Sequence, residues 1–190
     1  LGDLTNASKT HINYGNIYSA LVLKEPNELA YKYGLAISHG YLGSIYMATG
    51  DRDNALDNYE KYNTLSKEIR ESSPDNLGYK SGLAVSHQHL GNIYEATGDQ
   101  ENALDNYEKY NTLSKEVYES SPDTLEYKNS LAISYFKLGS LYIKENKVFA
   151  IENITQSLAL YEELVEKAPE VTQYSHNYNY IKQYLEKLKS

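Results

Sequence analysis

The chain has no cysteine and no tryptophan, and only two phenylalanines, one methionine and four prolines in 190 residues. Without cysteine there is neither a disulfide framework nor a thiolate metal site. No apolar run approaches the ~18 residues of a membrane span, and Ala20–Leu23 is the best stretch on offer. No run of five or more Lys/Arg occurs, and the net charge is −8 with a pI near 5.1. That balance argues against unspecific nucleic-acid binding and against an anionic membrane surface. Residues 1–20 lack the basic-then-apolar pattern of a secretion signal, so cytoplasm is the default expectation.

What is present is a period. Pro26, Pro74 and Pro122 recur every 48 residues, and Pro169 follows after 47. Leu42-Gly43-Ser44-Ile45-Tyr46 returns as Leu90-Gly91-Asn92-Ile93-Tyr94 and as Leu138-Gly139-Ser140-Leu141-Tyr142, while Asn54–Glu68 reappears unchanged as Asn102–Glu116. Self-similarity at such a period marks an array in which each unit buries its apolar face by stacking on its neighbours. Hydrophobic content is 41%, enough for a folded core. The 21 tyrosines carry most of the aromatic volume, and each buried hydroxyl needs a partner. Those that recur, Tyr46/Tyr94/Tyr142 and Tyr59/Tyr107, read as core.

Each unit reads as two helices. Leu83, His87, Leu90, Gly91 and Tyr94 share one face of a helix that Thr97-Gly98-Asp99 ends, with Gly98 suited to a left-handed cap and Asp99 to the next N-cap. Ala103, Tyr107, Tyr110, Ser114 and Val117 continue on the next helix. Ser121-Pro122 is expected as an N-cap and first helical residue, with Ser73-Pro74 doing the same work one unit earlier. The spacing predicts eight helices: 3–23, 27–49, 51–72, 75–97, 99–120, 123–145, 147–168 and 171–189. The domain reading is one repeat domain over 1–190: a half repeat 1–25, repeats 26–73, 74–121 and 122–168, and a capping helix 169–190. Leu1-Gly2-Asp3 aligns with Thr49-Gly50-Asp51, so the first helix here is expected to be the second helix of a unit, in the C-terminal part of something longer.

Leu-Gly-x-x-Tyr, a Gly-Asp turn, Asn-Ala-Leu-x-x-Tyr and a closing proline resemble the tetratricopeptide repeat. The resemblance implies a right-handed α-solenoid with a C-terminal cap. It places Gly43, Gly91 and Gly139 where the paired helices approach closely, and Ala55, Ala103 and Ala150 opposite them. It departs from the family in length, 48 residues against ~34, as if about two turns were added per helix. It also departs in having His39, His87 and Tyr135 at the large aromatic position.

The family implies a non-catalytic scaffold whose first helices line a concave groove for a protein or peptide, with no cofactor and no metal. Carried over, that groove includes Ile37, Tyr41, Ser44, Gln88, His89, Asn92, Phe136, Lys137, Ser140, Lys144, Tyr180 and Tyr184. It runs from small and apolar, through amide-rich, to aromatic plus Lys, so an acidic and apolar peptide is the natural ligand of the C-terminal half. The family's carboxylate clamp is not matched: Gly40, Ser44, His89 and Ile133 stand at four of its positions, and only Lys137 fits. Long-unit arrays of this kind resemble those attached to bacterial signalling and effector domains. The alternative is a spacer or self-association element using Leu4, Ala7, Tyr14, Ile17 and Leu21 of the opening helix. The five histidines read as packing and surface residues, since His39 and His87 lie one unit apart. No nucleophile with an orienting base, paired-acid motif or phosphate loop is present.

Overall fold

A computed structural model describes residues 2–190, with side chains from Lys9 onward; Leu4 and Ala7 of the expected association face lie outside the described side chains. Eight helices and no strand occur among the described residues: α1 Gly2–Lys24, α2 Leu29–Thr49, α3 Arg52–Ser72, α4 Leu77–Thr97, α5 Gln100–Ser120, α6 Leu125–Tyr142, α7 Lys147–Lys167 and α8 Thr172–Lys189. The all-α repeat expected from the sequence is what is seen. The chain forms two compact units, Leu1–Ala103 and Leu104–Ser190.

The joints inside each pair follow the sequence. Gly50 and Gly98 take φ of 82° and 84°, and the amide of Asp51 reaches Tyr46 O at 2.9 Å while that of Asp99 reaches Tyr94 O at 2.9 Å. Only glycine adopts that left-handed backbone at no steric cost, so both helices close in a Schellman-type cap. Asp51 and Asp99 then cap the next helices, each accepting from an asparagine side chain three residues on (2.7 Å). The third joint differs: Asn146 replaces the aspartate, no glycine precedes it, and α6 stops at Tyr142 rather than near 145. Without a residue suited to the left-handed conformation the chain leaves through a turn, Glu145 N–H to Tyr142 O at 3.1 Å.

The prolines correct the expectation for the other joints. Pro26, Pro74, Pro122 and Pro169 do not stand at the first helical position. Each is the second residue of a β-turn closed by an i+3 to i hydrogen bond of 3.1–3.2 Å, as from Asn76 N–H to Ser73 O and from Thr124 N–H to Ser121 O. Proline presets φ for that turn position. The helix therefore begins two residues later than expected, and Asn76 is the N-cap, accepting from Tyr79 N–H at 3.0 Å. Ser121 instead shares a hydrogen bond with the Thr124 hydroxyl at 2.8 Å.

In the first unit the core gathers Ala36, Tyr62 and Ile69 in one cluster and Ala55, Tyr59, Leu90 and Ile93 in another. α2 and α3 pack so closely that a Cβ on Gly43 would stand 2.5 Å from the Tyr59 ring. That is the close approach foreseen at this glycine. In the second unit Ala132, Ile154, Tyr161, Leu164, Ile181 and Leu185 form the core. Here α7 exchanges two residues one turn apart: Tyr62 and Ser66 of α3 correspond to Ser157 and Tyr161. The relocated Tyr161 hydroxyl donates to Asn129 Oδ1 (3.1 Å) and accepts from Asn177 Nδ2 (2.8 Å), and Ser157 donates to Ala132 O (2.7 Å). The phenol moved, and its partners moved with it.

Of the recurring tyrosines, Tyr59 and Tyr107 are buried as expected. Tyr46, Tyr94 and Tyr142 are only half-buried, and the Tyr142 hydroxyl reaches out to Glu108 Oε1 at 2.9 Å. Ion pairs join first to second helices within each unit: Lys32 with Glu68 at 2.9 Å, and the almost fully buried Lys128 with Glu163.

Candidate binding clefts

In the first unit a cleft of about 280 Å³ opens between α2 and α4, walled by Ile37, Tyr41, Ser44, Val85 and His89. Helical spacing accounts for the α2 wall: residues 37, 41 and 44 fall on one stripe. The floor comes from α3. Gly40 carries no side chain, and a Cβ there would lie 3.1 Å from the Tyr62 ring, so the glycine lets that buried ring pack directly against α2 at the base of the cleft. Tyr62 belongs to a second helix and was absent from the sequence-derived groove; a glycine where Gln88 and Phe136 stand in the other units is the signal that could have found it.

Tyr41 is 54% exposed and stacks on His11 of α1, with centroids 4.4 Å apart and 20° between planes. One unit on, Tyr59 stacks on His89 at 4.7 Å and 12°. The same two positions, one on a second helix and one on the following first helix, hold a ring pair both times with the residue types exchanged. Burial among these rings pushes the His89 imidazole down to about 4, so it is a neutral wall at pH 7. The Tyr62 phenol is driven upward, chiefly by burial, with Tyr33 and Tyr41 adding to it. None of the residues lining this cleft is Asp, Glu, Lys or Arg. Gln88 and Asn92, half-buried on α4, do not line it.

The second unit has its own cleft, about 170 Å³, between α6 and α8. Ile133, Phe136 and Lys137 form one wall, Asn177, Tyr180 and Ile181 the other, and Tyr161 of α7 the floor. Phe136 meets Tyr180 and Tyr184 edge-on at 5.7 and 5.4 Å, and Tyr180 is 58% exposed. These edge-to-face arrangements fix ring directions beyond simple burial. Lys137, at the position of Tyr41 and His89, extends its ammonium over the Tyr107 ring at 5.4 Å, a cation–π contact in place of the ring stacks. Burial pushes the Tyr161 phenol up to about 12, the Asn177 hydrogen bond working the other way. Ser140 turns inward to donate to Phe136 O at 2.8 Å. Lys144 falls in the turn after α6, exposed, off the helix on which the sequence reading placed it. Asn177, Ile181 and Tyr161 were missed because α8 and α7 depart most from the repeated pattern.

His11 and His89 lie in ring stacks and His87 is buried. His39 Nδ1–H donates to Asn58 Oδ1 at 2.9 Å, and the Asn58 amide in turn donates to Asn54 O at 2.8 Å. No group of three or more His, Asp or Glu side chains poised around a metal ion occurs among the described residues. No described helix is long and apolar enough to cross a membrane.

The family model for the tetratricopeptide repeat matches residues 39–68 and 84–117. The chain carries tetratricopeptide repeats over those two stretches. Both matches centre on a Gly-Asp joint, running from the later turns of one first helix into the following second helix. The added length of these repeats therefore sits at the ends nearest the prolines. Repeats of this family generally serve as scaffolds for protein interaction. No curated protein matches the chain. Among solved structures, BtubC from P. vanneervenii is 14% identical, with 98% of this chain and 91% of that one covered and a TM-score of 0.48. A TPR repeats protein from Bacteroides fragilis is 14% identical over 96% and 97% at a TM-score of 0.35. A de novo designed helical repeat protein, DHR64, is also 14% identical, over 99% and 95% at 0.36.

Proposed function

We propose that this chain is a non-catalytic recognition module that holds peptide segments in the two aromatic clefts, in a cytoplasmic setting as an arm of a larger signalling or effector protein. The observation behind this reading is that each unit leaves aromatic rings, Tyr41 in one and Tyr180 in the other, more than half exposed beside a cleft floored by a buried tyrosine. Exposed aromatics around a partly enclosed hollow are the usual anchors of protein recognition. The charge-free first cleft suits uncharged apolar or aromatic side chains. The second, with Lys137 and the Asn177 amide among its walls, suits an acidic residue beside an apolar one. Of the residues named from sequence, Ile37, Tyr41, Ser44 and His89 serve the first cleft, and Phe136, Lys137, Tyr180 and Tyr184 the second.

Selection of a displayed peptide library on the intact chain tests this. Selected peptides are expected to combine aromatic or aliphatic residues with acidic ones. They should lose affinity to Tyr41→Ala, or to the Phe136→Ala/Tyr184→Ala pair, in variants that keep native helicity. Peptides whose binding survives both changes would refute the cleft assignment. A second reading, a structural spacer or self-association element acting through α1, is favoured by the exposure of Tyr14 and Ile17.

A further inference from the structure

Helix α1 keeps the register of α3: His11, Tyr14, Ile17 and Leu21 stand 48 residues before Tyr59, Tyr62, Leu65 and Ile69. Toward the first helix that follows, the two behave alike. His11 stacks on Tyr41 as Tyr59 stacks on His89. A Cβ on Gly15 would stand 3.8 Å from Ser38, at the place where Asn63 donates to Ser86 at 2.9 Å.

Toward the other side they differ. Tyr62 lies over Gly40 of α2, the first helix of its own unit, and is 3% exposed; its counterpart Tyr14 is 51% exposed, and Ile17 is 55% exposed. The residue types differ on that side too. Glu68 of α3 pairs with Lys32 of α2, whereas α1 has Ala20 at the corresponding position, and Leu23, almost bare, where α3 has Glu71. Glu68, the acid that serves an ion pair in α3, and Glu71 one turn on both give way to apolar residues in α1. Exposed apolar residues in such a cluster mark a contact surface.

We propose that this face of α1 seats a first-type repeat helix, joined in the repeat's own order, that carries a small residue over Tyr14 as Gly40 does over Tyr62 and an apolar residue where α2 has Lys32. The occupant is a helix and not a second copy of this chain. α3 shows the covered form of the same surface, and what covers it there is α2, while the Ala20 and Leu23 exchanges specify how the helix over α1 departs from α2. The seat sharpens the structural reading of α1 and is independent of the clefts; loss of peptide binding would leave it standing.

The test fuses a copy of residues 26–48 directly before Leu1 of the full chain, which continues the period. In one form the copy's lysine is kept, and in the other it is replaced by leucine. Hydrogen exchange across Ile12–Leu23 is expected to slow in both forms, with the heat-unfolding midpoint rising by at least about 5 °C and further in the leucine form. Ile17→Asp should cancel most of the gain in the extended protein and change the unextended one little. A scrambled helix of equal length should give neither effect. Unchanged exchange in α1 with both forms would overturn the proposal. So would a dimer of the unextended chain that protects α1 and persists when the helix is added.

Discussion

Two substitutions of the same chemistry, Gly43→Ala and Gly82→Ala, are expected to move stability in opposite directions. Both glycines lie in the interior of first helices of the same unit, α2 and α4. On helix propensity alone each change gains about 1 kcal/mol. At Gly82 nothing opposes it, because the nearest atom to the added Cβ is Tyr33 Cε2 at 3.6 Å, an ordinary contact. At Gly43 the added Cβ meets Cδ1 and Cε1 of Tyr59 at 2.5 Å. Restoring a normal carbon separation requires a shift of about 1 Å. The Tyr59 ring cannot yield cheaply: it is buried, its hydroxyl donates to Ser44 Oγ at 3.3 Å, and its face stacks on His89. Overpacking at such a site costs roughly 1–3 kcal/mol. Set against the propensity gain, the net loss is up to about 2 kcal/mol. The two variants should thus differ by the overpacking cost, about 1–3 kcal/mol, or roughly 2–12 °C in unfolding midpoint. Heat unfolding followed by circular dichroism reads the difference, and hydrogen exchange in α2 and α4 locates it. A Gly43→Ala protein as stable as Gly82→Ala would show that α2 and α3 do not approach as described, and the packing argument would fail with it.

Three further outcomes follow from the same contacts. Burial holds the folded His89 near 4 against 6.5 in the unfolded chain, so the unfolded state binds the proton first. His89 should therefore cost about 1–3 kcal/mol of stability as pH falls from about 6.5 to 4, and His89→Phe should flatten urea stability across that window. Glu163→Ala should destabilise by about 3 kcal/mol, because it strands the buried ammonium of Lys128, while Lys128→Met keeps the apolar stem and should change the urea midpoint little. Tyr161→Phe removes the hydroxyl that joins Asn129 to Asn177 and should cost about 1–2 kcal/mol, lowering the heat-unfolding midpoint; an unchanged midpoint would mean that water satisfies both amides equally well.

The sequence by itself determined the helices, their pairing and the joints between them. Those properties are local or periodic: Gly50 and Gly98 announce their left-handed caps, Asp51 and Asp99 their capping hydrogen bonds, and the 48-residue period states which faces correspond. Where the period weakened, so did the reading. The expected α6 end runs too late because Asn146 stands in for the Gly-Asp pair, and Pro74 and Pro122, expected at helix starts, make the turns before them. A turn and a first helical position ask the same φ of proline, so residue type alone does not separate them. Only the tertiary structure decided what lines the clefts. First-helix stripes were legible at 37, 41 and 44, yet the floors, Tyr62 and Tyr161, come from second helices whose buried rings are seated by what faces them. Likewise no spacing rule tells that Tyr59 and His89 stack, or that Lys137 covers Tyr107. Such contacts depend on how far apart packed helices settle. That distance is set by the volumes of all the side chains between them at once, a sum over residues remote in sequence that no local pattern carries.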